Sequence, residues 1–97
     1  MEKSYKIESV LHSGTKGKRG EERKDGRYPL RVGRIVLLDQ EEVEIGNPLV
    51  LDYVTDENGN DYRGHYLFCS RVKEKHVLPD GILQIETGNS IYVLKAI

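Results

Sequence analysis

The segment at residues 14–34 holds the densest set of groups in this chain that could do chemistry. Lys16, Lys18, Arg19, Arg23, Lys24, Arg27, Arg31 and Arg34 stand there against Glu21, Glu22 and Asp25, a net charge of +5, with Gly14, Gly17 and Gly20 interleaved. Cations among glycines suggest a phosphate cradle. A nucleotide-binding glycine loop, however, needs the spacing GxxxxGK[ST] and a helix behind it, so that backbone N–H groups and the helix dipole converge on the anion. Here Gly20 is followed by Glu21, and no helical periodicity comes after it. Two readings of the segment stay open. In the first, a flexible basic loop closes over an anionic ligand or an acidic protein surface through Lys16, Lys18, Arg19, Arg23, Arg27, Arg31 and Arg34. In the second, the loop is a solvated connection whose charge complements the acidic stretch Asp39, Glu41, Glu42 and Glu44.

The other candidate groups are sparse. His12, His65 and His76 lie on separate segments without HxH or HxxxH spacing, and carboxylates or cysteines at ligand spacing are missing, so no metal site is expected. His65 stands out because Tyr62 and Tyr66 flank it; an imidazole between tyrosines could line a small-molecule site, or it could be a surface residue at a bulge. Asp52, Asp56 and Asp61, with Asn58 and Asn60, read as turn residues, since the glycine lies at the wrong position for a calcium loop. Cys69 is the only cysteine, which excludes an intrachain disulfide; beside Tyr66, Leu67 and Phe68 it reads as a small buried hydrophobe. No serine has a nucleophile-elbow context. The chain is therefore expected to be no enzyme and to need no cofactor.

The elements that must position these groups are strands. Ninety-seven residues allow one domain, expected to span 1–97 with a long basic loop at about 13–27. Segment 5–12 reads as a strand with a bulge near Ser9, and 28–38 as a strand from about Val32, with Pro29 before its paired part. In 39–48, Val43 and Ile45 alternate with acids, which allows a short edge strand. Strands are expected at 49–54, 62–72, 82–87 and the C-terminus. Asn58-Gly59, Pro79-Asp80-Gly81 and Gly88-Asn89 turn the chain between them, and Gly64 is expected at a bulge. A twisted sheet of five to seven short antiparallel strands without a substantial helix closes most economically into a small barrel. The all-β, SH3-like barrel fits better than an OB-fold, which usually inserts a helix. No apolar run approaches the length of about 18 residues that a membrane helix requires, and the opening residues lack a signal-peptide core, so a cytoplasmic protein with no membrane partner is expected.

The ending ETGNSIYVLKAI resembles the last strand pair of a group of small, uncharacterised bacterial and phage proteins with a T-x-N-S-x-Y-x-L pattern. The resemblance extends loosely upstream through Pro29, Arg31, Gly33, Gly46, Tyr53 and Ser70. It implies the context of a bacterial or prophage accessory protein and carries no chemistry.

The function expected from these features is that of a non-catalytic binding module. It would engage a protein partner partly through 14–34, with a small anionic, nucleotide-like ligand as the alternative. Nucleic acid ranks below both, because the charge outside 14–34 is −6, whereas barrels that bind single strands present aromatics on a basic sheet face. Apolar edges at 43–54 or 91–97 would favour a homo-oligomer through strand pairing.

Overall fold

A computed structural model describes residues 1–97. The strands are β1 (Lys3–His12), β2 (Ile35–Leu38), β3 (Pro48–Thr55), β4 (Tyr66–Val77), β5 (Ile82–Thr87) and β6 (Ser90–Ala96). They run antiparallel and in chain order around a closed barrel, in which β6 returns to pair with β1. This is the small, SH3-like all-β barrel that the alternation predicts, and its longest α-helix is a single turn, α1 (Tyr28–Arg31). No helix is long and apolar enough to cross a membrane.

The inward residues alternate as a pleated strand requires. On β3, Leu49, Leu51 and Tyr53 point into the barrel while Val50 and Asp52 face out. Ile7, Val10, Val36, Leu51, Ile85, Tyr92 and Leu94 are almost completely buried and fill the interior. Each such side chain contributes roughly 1.5–3 kcal/mol on burial. The β1–β6 register slips between Ile7 and Ser9, so the bulge near Ser9 is present.

Three local expectations are corrected. The chain does not extend from Val32: Pro29 opens the helical turn α1, where its fixed φ suits the first turn, and Gly33 at φ +94° reverses the chain before β2 starts at Ile35. The acidic stretch forms no edge strand. Asp39 accepts the Glu41 N–H (3.0 Å) and starts a 3-10 turn at Gln40–Glu42, after which Val43 packs on the core and Ile45 is left exposed. Gly64, at φ +89°, belongs to the β3–β4 loop and makes no bulge, and His65 immediately precedes β4.

The barrel has one irregular place. β4 pairs with β3 over Tyr66–Arg71 and with β5 only from Val72 onward. Its first half therefore has a strand neighbour on one side only.

Candidate functional site

The basic segment forms two different structures at one end of the barrel. Its first part folds back along β1 as a strap. The His12 N–H donates to the Glu21 carbonyl (2.7 Å), the Gly20 N–H to the His12 carbonyl (2.9 Å) and the Arg23 N–H to the Val10 carbonyl (2.8 Å). Side chains fasten this strap to the β5–β6 turn. Ser13 and Thr15 hydroxyls donate to the Gly88 carbonyl, at 3.0 and 3.2 Å. Arg19 grips Glu86 through two parallel hydrogen bonds of 2.6 Å and also donates to the Ser13 carbonyl. That fork holds the Glu86 carboxyl below its ordinary pKa range.

Arg23 is the centre of the strap. Only 3% of it is exposed, although it lies in the most polar stretch of the chain. Its guanidinium donates to Ser90 Oγ (2.8 Å) and the Asn89 carbonyl (3.3 Å), forks onto Asp25, and lies 3.9 Å from the Tyr28 ring centroid. The Arg23 hydrogen bonds lower the Asp25 pKa to about 2. Beside it, the chain passes closely over the His12 ring: a Cβ on Gly17 would sit 2.8 Å from three ring atoms.

The segment is therefore a loop tethered to β1 and to the β5–β6 turn, with residues 14–22 exposed. It does not complement the acidic stretch, which lies at the opposite end of the barrel in the β2–β3 connection; Asp39 there pairs with the N-terminal amine (2.8 Å). The other acidic groups of that end, Glu2, Glu42 and Glu44, line a cleft of about 250 Å³ with Leu37, Val43 and Val50.

Of the seven cations expected to bind a partner, three have internal carboxylate partners. Arg19 holds Glu86 and Arg23 holds Asp25; Arg34 pairs with Glu57 (3.2 Å) while lying 5.0 and 5.1 Å from the Tyr53 and Tyr62 rings. Lys16, Lys18 and Arg27 are exposed and form no salt bridge, and neither does the half-buried Arg31. His65 stacks flat on Tyr62 (4.3 Å between centroids, 9° between planes) in the β3–β4 loop, so it belongs with the Arg34 cluster. Tyr66 opens β4 on its outer face.

The second structure is a slot. A cavity of about 220 Å³ opens between the first half of β4, the turn α1 and the β5–β6 turn. Leu67 to Ser70 form one wall, Tyr28 and Arg31 another, and Thr87, Asn89, Ser90 and Tyr92 its floor and end. Arg31 stacks on the same tyrosine as Arg23, 4.6 Å from the Tyr28 centroid. Cys69 lines the slot, but burial pushes its thiol up to about 11, and burial also raises the Tyr92 phenol. Outside the slot Tyr66 (63% exposed) and Phe68 (65%) project from the wall, with Val50 cross-strand from Phe68.

Sequence reasoning passed over Phe68, Tyr28 and Asn89 as site residues. The alternation Tyr66-Leu67-Phe68-Cys69-Ser70 held the signal: it puts two aromatics on the face opposite Leu67 and Cys69. Compared with family models, with curated proteins and with solved structures, the chain gives no match in any of the three.

Proposed function

We propose that the protein is a non-catalytic binding module, an accessory protein of bacterial or phage origin, that engages a protein partner through the slot end of the barrel. The observation that carries this reading is the exposed pair Tyr66 and Phe68, beside Val50, within one structural region of the unpaired Arg31. Aromatic and arginine side chains supply most of the energy of protein interfaces, and contiguous exposed apolar surface on a small domain marks a contact site. Nucleic acid suits this end less well. Tyr5, Tyr53 and Tyr92 are buried and Tyr28 is covered by Arg23 and Arg31, so only Tyr66 and Phe68 offer ring faces at this end, a short platform for successive bases.

A second reading has its own support. Arg31 and the Thr87, Asn89 and Ser90 polar groups around one cavity could take a small anion without turnover.

The test compares the wild-type protein with an Arg27→Glu/Arg31→Glu/Phe68→Ser variant. Crosslinked partners from bacterial extract are identified by mass spectrometry and then reconstituted from purified components. One protein bound by wild type and lost from the variant is the expected result. A rise in melting temperature with one nucleotide class, abolished by Arg31→Glu, would favour the anion reading. Binding to single-stranded DNA that collapses steeply with salt would favour nucleic acid.

A further inference from the structure

We infer that the slot is a strand-addition site: the first half of β4 accepts an extended segment of the partner, with an acidic side chain directed at Arg31. The inference rests on the protein-binding reading above and specifies its chemistry.

The ladder geometry comes first. The Tyr53 N–H donates to the His65 carbonyl (3.0 Å), and Leu51 lies opposite Leu67. In an antiparallel pair, residues alternate between those that exchange hydrogen bonds with the neighbour and those that point the other way. His65 and Leu67 therefore direct their backbone groups to β3, while the N–H and C=O of Tyr66 and Phe68 point away from it. On that side β5 begins to pair only at Val72, and no other strand stands opposite them. In a barrel, where closure otherwise removes edges, two residues of unpartnered ladder are a built-in exception.

The slot also sets the length and pattern of what can enter. It ends at Ser70, because the Gly88 backbone closes over it; a Cβ at Gly88 would be 3.2 Å from Ser70 Oγ. An added strand thus pairs along Tyr66 to Cys69, about four residues at roughly 3.3 Å each. Its side chains must alternate as those of β4 do. Those on the outer face lie beside Tyr66 and Phe68 and should be apolar. Those on the inner face enter the cavity, where Arg31 has no carboxylate within salt-bridge distance and Lys16, Lys18 and Arg27 add positive charge at the same end. Charge complementarity therefore selects an acidic inner residue. Main-chain hydrogen bonds give such sites affinity and side-chain pockets give them specificity.

The test uses a synthetic heptapeptide of alternating valine and glutamate, its valine–lysine counterpart, and a version of the acidic peptide N-methylated on the amides of one edge. Amide NMR on the full chain reads the site. The acidic peptide should shift the Tyr66 and Phe68 amides and slow their hydrogen exchange at least tenfold, while the lysine and N-methylated peptides should bind at least tenfold more weakly. Arg31→Glu should invert the preference between acidic and basic peptides. Phe68→Pro removes one N–H from the edge and should abolish binding; if that variant unfolds, the Arg31→Glu inversion decides the matter alone.

Shifts confined to Lys16 and Lys18, equal binding of the N-methylated peptide, or occupation of the slot by inorganic phosphate or by a second copy of the chain would each overturn the inference. If the reconstituted partner binds but is not displaced by the acidic peptide, strand addition fails and the protein-binding reading stands. Should no protein partner be retained while nucleotides bind, the reading itself fails.

Discussion

Arg23 and Arg31 stack on the same tyrosine and have opposite fates. Arg23 lies 3.9 Å from the Tyr28 centroid, is 97% buried by complement of its 3% exposure, and donates to Ser90, Asn89 and Asp25. Arg31 lies 4.6 Å from that ring, is half-buried, and has no carboxylate partner. One arginine closes the strap and the other faces the slot. Two neighbouring cations of one basic run thus teach that residue type does not separate a structural charge from a binding one. What separates them is whether the fold already satisfies the guanidinium's donors.

The comparison can be broken most directly by truncation. Arg23→Ala removes a buried fork and leaves Ser90 Oγ and the Asn89 carbonyl without their donor. The expected loss is about 2–4 kcal/mol, measured as a shift of the urea midpoint at constant slope. Arg31→Ala touches no such network and should change stability by less than about 0.5 kcal/mol. Equal losses from the two substitutions would erase the distinction between strap and slot.

Gly17→Ala tests the strap from its other side. The added Cβ meets the mostly buried His12 ring at 2.8 Å, so ring or chain must move. An expected cost of about 1–3 kcal/mol follows from overpacking, together with faster exchange of the Gly20 and His12 amides. A fully neutral Gly17→Ala would mean that the strap can lift without consequence.

A smaller effect sharpens the same contrast through pH. Asp25 has its folded-state pKa lowered from 3.8 to about 2, with the Arg23 hydrogen bonds as the main cause. A lowered carboxyl pKa stabilises the folded state above the unfolded value and loses that contribution as pH falls through the folded one. The strap should therefore be fully held above about pH 4 and loosen between pH 4 and 2, followed by exchange of the Arg23 amide. The Tyr66 and Phe68 amides, which Asp25 does not touch, should not follow that titration. In Asp25→Asn the step followed at the Arg23 amide should shrink, leaving the acid-side loss that belongs to Glu86, whose carboxyl Arg19 also holds below its ordinary range.

The smallest expected response is that of Cys69. With its thiol pushed up to about 11, it should react with iodoacetamide at neutral pH far more slowly than a free cysteine and become reactive only on unfolding. Rapid labelling of the native protein would show that the slot wall opens.

Much of the barrel was legible beforehand. Short apolar runs along 49–54, 82–87 and 91–97, bounded by turn residues such as Pro79-Asp80-Gly81 and Gly88-Asn89, mark strands and turns because both signals are local. The bulge near Ser9 was visible where Tyr5 and Ile7 lose their phase. By contrast, Tyr28-Pro29-Leu30-Arg31 reads equally well as an extended lead-in or as a helical turn, since proline suits both. The choice fell to Gly33 and to packing against the barrel. The site was less legible. The charge of 14–34 was plain, but Arg19 and Arg23 find Glu86 and Ser90 more than sixty residues away in sequence, and no local pattern reports such a pairing.

Strand runs and turn chemistry are local properties, so a small all-β barrel with one basic connection follows from the order of the residues alone. Which cations that connection keeps for itself is set by folding, which brings Arg19 to Glu86 and Arg23 to Ser90. Folding also sets where β4 is left without a neighbour, because strand pairing and hydrogen-bond satisfaction exist only between segments that folding brings together.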